Sequence, residues 1–399
     1  MIKRFAPLAV LALAACADPS AGPVTDGPAD VMSAARLAAD GDVIPGQYIV
    51  VFNDDETDVP GLARQLAAAS GAEIRYTYTS AVKGFAGPMS AQAAAALANN
   101  PRVAYVEADQ VVRATGTQSM DANGDPWGLD RINQRNLPLD KSYTYTYTGS
   151  GVRAYIIDTG IDASHAQFEG RASNVYDALG GNGNDCNGHG THVAGTVGGK
   201  TYGVAKQAQL RGVRVLDCAG SGSTSGIISA VDWVRTNRIN PAVANMSLGG
   251  GYSATLNTAV NNLSNSGVFI AVAAGNENQN ACNVSPASAS AAMTTAATTR
   301  TDYKASYSNY GSCVDIHAPG SAIKSAWIGS GTTETNTISG TSMASPHVAG
   351  VSALVKHRYG DISSSSVTTY IVNASTSGVV LGNVSGTVNR MLYKYVTAW

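Results

Sequence analysis

An α/β fold built on a mostly parallel sheet, preceded by a small α+β domain, is what this 399-residue sequence predicts. Three observations carry that expectation. Short apolar runs such as Val152–Ile157 (VRAYII) and Val268–Ala274 (VFIAVAA) end abruptly in polar or glycine residues, as strands buried on both faces do. They alternate with helical stretches, which places helices on both faces of one sheet. Residues 47 to 107 follow another order: strand, helix, strand, strand, helix, strand. That is the order of a compact α+β sandwich.

The elements follow in chain order. Lys3 and Arg4 precede the short apolar stretch FAPLAVLALAA, which has the form of a secretory leader and is too short to span a membrane. Leu13-Ala14-Ala15-Cys16 has the form of a bacterial lipobox, in which Cys16 would be lipidated and become the first residue. Cleavage near Ala17 is the alternative. Residues 17–43, rich in Ala, Asp, Pro and Gly, read as a linker. Residues 44–113 then hold strands at Gln47–Phe52, Ala72–Thr79, Val82–Gly87 and Val103–Glu107, with helices at Pro60–Ser70 and Ser90–Asn99. Within 114–399, strands are expected at Val152–Ile157, Leu210–Leu216, Val243–Leu248, Val268–Ala274 and Met293–Thr298. Helices are expected at Thr224–Thr236, Ala254–Ser264 and Ser342–His357, and a small-residue helix (VAGTVGG) follows His192.

Composition narrows the function. A 44% hydrophobic content supports a large core, and 14% charged residues with a net charge of -2 leave no electrostatic footprint for nucleic acid. Beyond Cys16 there are four cysteines, Cys186, Cys218, Cys282 and Cys313. An even number in an exported chain predicts two disulfides, for which the sequence alone allows three connectivities.

Three polar elements carry the chemistry. The Val152–Ile157 run delivers Asp158-Thr159-Gly160 to a strand end, the edge where open α/β sheets place their sites. Asn187-Gly188-His189-Gly190-Thr191-His192 puts His189 at a loop-to-helix junction. Gly340-Thr341-Ser342-Met343-Ala344-Ser345-Pro346-His347 puts Ser342 at a helix start, with Gly340 and Thr341 as a tight approach exposing its hydroxyl. A hydroxyl becomes nucleophilic beside an imidazole, and a carboxylate fixes the tautomer of that imidazole and stabilises its charged form. Ser342, His189 and Asp158 supply the three groups, and Asn276 closes another strand end. His192 and His347 read as packing residues. The glycine run at 220–226 lacks the acidic partner that a nucleotide fingerprint requires.

With D-T-G at 158, H-G-T-H at 189 and G-T-S-M-A-S-P at 340, the chain resembles the subtilisin-like serine peptidases from about Trp127 onward. WGLDRI at 127, YGVAK at 202, SLGGG at 247, AAGN at 273, SNYGS at 308 and APG at 318 resemble the proteinase K and aqualysin branch. The resemblance implies a secreted endopeptidase that cuts proteins and peptides through an acyl-enzyme and uses no cofactor for chemistry. Its rival is a catalytically silent homologue acting as a scaffold. The implied roles are nucleophile for Ser342, base for His189, orienter for Asp158 and oxyanion donor for Asn276.

Other implications follow from the same resemblance. Gly220, Ser221 and Gly222, with Ser247, Leu248 and Gly249, would pair with an extended substrate. Ala273, Ala274 and Gly275 would form a roomy, uncharged P1 pocket suited to aromatic or aliphatic side chains. Cys186 would pair with Cys218, and Cys282 with Cys313. Structural calcium would sit at Asp315 with the carbonyls of Ser290 and Ala292. A second ion would sit at Asp130, Gln134 and Asp140, where Asn133 stands in place of a further carboxylate. Residues 44–113, with V-A-Y-V-E at 103, resemble an inhibitor-type propeptide that would template folding, fill the cleft and be removed by self-cleavage between Arg113 and Met120. A membrane enters only if Cys16 is lipidated.

Overall fold

The computed structural model describes residues 43–79, 83–110 and 116–395. The leader, the Cys16 lipobox, nearly all of the linker, the start of the Val82 strand and the first part of the processing interval lie outside them. The chain divides into two compact units between Val111 and Val112.

The first unit comprises β1 (Val43–Phe52), α1 (Val59–Ser70), β2 (Tyr76–Tyr78), β3 (Gly84–Pro88), α2 (Ala91–Ala98) and β4 (Val103–Gln110). The strands form an antiparallel sheet in the order β2-β3-β1-β4. Val50, Phe52, Phe85 and Val106 meet Leu62, Leu66, Ala93 and Leu97 in one apolar cluster. The helices start where the sequence provides caps: Asp58 accepts from the Gly61 N–H, and Ser90 accepts from the Ala93 N–H. The Ala72–Thr79 run is strand only over Tyr76–Tyr78.

The second unit opens with β5 (Gly116–Ser119), α3 (Trp127–Asn133) and β6 (Ser142–Tyr145). It continues through β7 (Arg153–Asp158), β8 (Ala172–Asp177), α4 (His189–Gly198), β9 (Gln209–Arg214), α5 (Thr224–Asn237) and β10 (Ala242–Met246). Next come β11 (Gly250–Gly251), α6 (Ala254–Asn265), β12 (Phe269–Ala273), β13 (Val284–Ser285), β14 (Met293–Thr298), β15 (Ile316–Pro319), β16 (Ile323–Ala326) and β17 (Thr335–Ile338). The unit closes with α7 (Thr341–Tyr359), α8 (Ser364–Ala374), β18 (Thr376–Ser377) and β19 (Arg390–Met391).

The central nine-stranded sheet has the order β18-β19-β15-β14-β12-β10-β7-β9-β8. All its pairings are parallel except that of β18 with β19. Alternation along each strand builds the three layers. Ala154, Ile156 and Ala271 face Val193, Val348 and Leu354 on one side, while Tyr155, Ile157 and Ile270 face Ile227, Val231, Val260 and Leu263 on the other. The helix α7 is buried along most of its length, so its first turn is fixed against the sheet. No described helix is long and apolar enough to cross a membrane.

Candidate active site

Asp158 ends β7 and is fully buried; His189 begins α4 and keeps about a quarter of its side chain exposed. The His189 Nδ1 lies 2.7 Å from Asp158 Oδ1, which also accepts the Thr159 N–H at 2.8 Å. This holds the imidazole with Nε2 available. Gly188 makes the turn at φ 105, where a Cβ would also lie 2.5 Å from the Trp327 ring. Burial alone pulls the His189 pKa down, but the Asp158 charge and hydrogen bond, helped by the Asp185 charge, outweigh it. The net shift is upward from 6.5.

Ser342 is the second residue of α7, where a helix has no internal acceptor for its N–H. That N–H and the dipole of the helix therefore face the same space as the hydroxyl. The Ser342 hydroxyl donates to the Ser247 carbonyl at 3.2 Å. Pro346 stands four residues on and lacks an N–H, so the Ser342 carbonyl has no helical donor; the Ser247 hydroxyl supplies one at 2.7 Å. Asn245 and Ser345 extend this connection, with Ser345 donating to Asn245 at 2.7 Å and Asn245 to the Ser247 hydroxyl at 2.9 Å. At Gly340 the backbone is extended, and a Cβ there would meet Asn276 Nδ2 only at 3.6 Å. The tight approach expected at Gly340 is thus an ordinary contact, and the position of the hydroxyl follows from the helix start.

Asn276 lies just past β12. Its Oδ1 accepts from the Thr341 N–H at 2.8 Å and from the Thr341 hydroxyl at 3.0 Å, so the amide nitrogen is left as the donor toward Ser342. Asn309 braces the same loop, donating to Ala274 O and Glu277 Oε2 and accepting from the N–H groups of Glu277 and Gln279. His192 and His347 are buried packing residues, driven by burial to about 3 and about 4. Each bonds a backbone carbonyl, of Ile323 and Met343 respectively.

Two hollows adjoin this constellation. The larger, about 560 Å³, is walled by His189, Gly220, Ser221, Gly222, Ser247, Leu248 and Gly249 among others. The second, about 330 Å³, is lined by Ala273, Gly275, Asn276, Glu277, Thr341 and Ser342 among others. Ala274 points away into a cluster with Ala281, Val284 and Ala296, while the exposed carboxylate of Glu277 joins the wall. A pocket read from the A-A-G segment alone lacks that charge. Cys186 is bonded to Cys218 and Cys282 to Cys313. The first bridge joins the loop before His189 to the Gly220 segment, and Asn187 Nδ2 adds a bond to the Cys218 carbonyl at 3.0 Å.

Ser290, Ala292 and Asp315 line one hollow of about 380 Å³, and burial raises the Asp315 pKa. Asp130 is buried beside Asp140; one of its carboxylate oxygens takes the Lys141 N–H and the other has no partner among the described residues. Burial, followed by the Asp140 charge, pushes Asp130 up to about 6. Asp130 thus offers a hard cation an unpaired buried oxygen, and Asp315, which takes the Thr294 N–H at 2.8 Å, offers a carboxyl group on the wall of a hollow. Gln134 bonds the Asp140 N–H through its oxygen, and Asn133 bonds Thr144. No cluster of three or more His, Cys, Asp or Glu side chains suited to a metal occurs among the described residues.

Strand-end carboxylate, imidazole and helix-start hydroxyl on a parallel sheet define a serine hydrolase of the Asp-His-Ser kind. The chain belongs to the subtilase family, whose pattern matches residues 149–391, and residues 47–115 match the peptidase inhibitor I9 family. It is 48% identical to an extracellular serine proteinase of Thermus sp. (strain Rt41A), covering 97% of each chain. It is 43% identical to proteinase R of Parengyodontium album, over 90% of this chain and 91% of the relative. The crystal structure of a cold adapted subtilisin-like serine proteinase superposes with a TM-score of 0.66 at 51% identity, covering 68% of this chain and 98% of the other. The protein is a subtilisin-like serine endopeptidase made with an inhibitory propeptide domain.

Proposed function

We propose that Ser342 attacks the scissile carbonyl, His189 takes and returns the proton, Asp158 holds the imidazole, and Asn276 with the Ser342 N–H stabilises the oxyanion. The 2.7 Å bond between His189 Nδ1 and Asp158 Oδ1 carries this reading, because it leaves Nε2 as the free base, while the Ser342 hydroxyl rests on the carbonyl of Ser247, which lines the same hollow as His189. The segments Gly220–Gly222 and Ser247–Gly249 pair with the substrate backbone, and the 330 Å³ hollow takes an aromatic or aliphatic P1 side chain. Residues 44–113 form the propeptide. Within the Arg113–Met120 interval a cut before Gly116 keeps the pairing of Gly116–Ser119 with Ser142–Tyr145, which supports a boundary near 113/114.

Calcium, when bound, supplies structural charge compensation and no chemistry. Asp315 with the Ser290 and Ala292 carbonyls would hold one ion, and Asp130 and Asp140 with Gln134 another. The enzyme acts outside the cell, as its extracellular relative is named to do. An intact-mass measurement on secreted protein fixes the mature N-terminus and the fate of Cys16.

A fluorophosphonate probe tests the assignment. It labels the mature protein, and Ser342→Ala abolishes labelling; an unlabelled, correctly processed enzyme would refute the role of Ser342. On a panel of tetrapeptide anilides, aromatic and aliphatic P1 residues are cut fastest, and a strong preference for Lys or Arg would refute the pocket assignment.

A further inference from the structure

A second carboxylate stands behind the imidazole. Asp185, in the loop before α4, accepts five hydrogen bonds. Its Oδ1 takes the Thr159 hydroxyl and the N–H groups of Asn187 and Gly188, all at 2.9 Å. Its Oδ2 takes the Thr191 N–H at 2.9 Å and the Thr191 hydroxyl at 2.6 Å. Thr159 is the residue after Asp158, and its hydroxyl oxygen accepts the Gly190 N–H at 2.8 Å. The strand end that bears Asp158 and the first turn that bears His189 are thus tied to one side chain.

The helix start explains why it is a carboxylate. Gly188 caps α4 and has no side chain to offer, so the first-turn N–H groups need outside acceptors. The His189 N–H finds Asn187 Oδ1, the Gly190 N–H finds Thr159 Oγ1, and the Thr191 N–H finds Asp185 Oδ2. Every group facing Asp185 in these bonds is a donor, and an amide would set an N–H against one of them. The negative charge also lies at a helix N-terminus, where it is stabilised.

We propose that Asp185 is a positioning residue for the general base: it holds Asp158 and His189 in register and adds a second negative charge that favours the imidazolium of the transition state. This rests on the reading of His189 as the base. The groups facing His189 are Asp158 from its strand end, Asp185 from its loop and His192 from its own helix; burial holds His192 neutral. Around Asp185, Asp162 lines the same hollow, and Arg214 lies against the neighbouring Cys186–Cys218 bridge and is paired with Asp177. The Asp185 charge acts on His189 in the direction the proposal requires.

Kinetics of Asp185→Asn, Asp185→Glu and Thr191→Val across the acid limb test it. With Asp185→Asn, kcat falls about 10- to 100-fold with KM within about threefold, and the acid limb moves down by about half a pH unit because the imidazolium has lost a stabilising charge. With Asp185→Glu, kcat falls but the limb stays; Thr191→Val lowers stability without moving the limb. An unmoved limb in Asp185→Asn overturns the electrostatic role, and unchanged kcat in Asp185→Glu overturns the positioning role. Because Asp185→Asn could fail to mature, proton NMR of the His189 Nδ1–H is followed in the full-length Ser342→Ala chain with and without Asp185→Asn. A lower midpoint supports the proposal, and an identical midpoint overturns it. If the wild-type enzyme escapes the fluorophosphonate probe, the nucleophile assignment falls instead, and the NMR titration still judges Asp185.

Discussion

Thr341 decides which way Asn276 faces. By donating twice to the amide oxygen it leaves the amide nitrogen as the free donor, which the proposed role needs aimed at the developing oxyanion. Asn276→Ala is expected to lower kcat by about 100- to 1,000-fold with little change in KM, the size known for such a donor in subtilisin. Active-site titration keeps the comparison per competent enzyme, and a loss below tenfold would exclude this donor role. The imidazole gives a second expectation. Its raised pKa means the neutral base is lost on acidification above the ordinary 6.5, so the acid limb of kcat/KM has its midpoint above that value. Asp158, His189, Asn276 and Ser342 were legible because each closes an apolar run or opens a helix. Asp185 and the Ser247 hydroxyl were not: Asp185 is tied to the Asp158 strand end through Thr159, 26 residues away, and Ser247 serves a carbonyl 95 residues away.

The nucleophile helix joins its sheet through a gap in its own hydrogen bonding. Ser247→Ala leaves the Ser342 carbonyl without a donor, a change worth about 1–3 kcal/mol where the group is buried. Pro346→Ala alone costs less, and the pair Ser247→Ala/Pro346→Ala regains part of the loss because residue 346 then offers an N–H. A double-mutant cycle on chemical denaturation midpoints reads this coupling, and strict additivity would contradict it. The same distinction between local and remote signals governs how the elements read. The buried strand Phe269–Ala273 stands out as an apolar run, whereas Met293–Thr298 is equally buried but half threonine. The edge strand Ala172–Asp177 (ASNVYD) is half-buried and polar, and the helix Ser364–Ala374 is rich in Ser, Thr and Val, so neither carries a clear period. The four-residue strand Ile316–Pro319 is buried yet too short to show one.

Across the whole molecule, the calcium sites proposed at Asp130 and Asp315 would tie stability to a cation. Chelation by EGTA is expected to lower Tm by about 5 °C or more, with Asp315→Asn and Asp130→Asn each removing part of that response. A Tm indifferent to chelator would mean that these carboxyl groups are accommodated without an ion. Parallel order, three layers and two units followed from patterning alone, while the closing of the sheet by β18 and β19 depended on pairings between distant short segments.

The glycine-lined wall of the cleft has a consequence for the organism that makes the protein. At Gly250 and Gly251 an added Cβ would meet nothing within 4 Å, so this rim presents backbone and few side chains. If it holds substrate as proposed, such a rim responds to what all polypeptides share, and the producer's own proteins look the same to it as food does. Safety then has to reside in timing, which gives a selective reason for translating the inhibitor and the blade as one message.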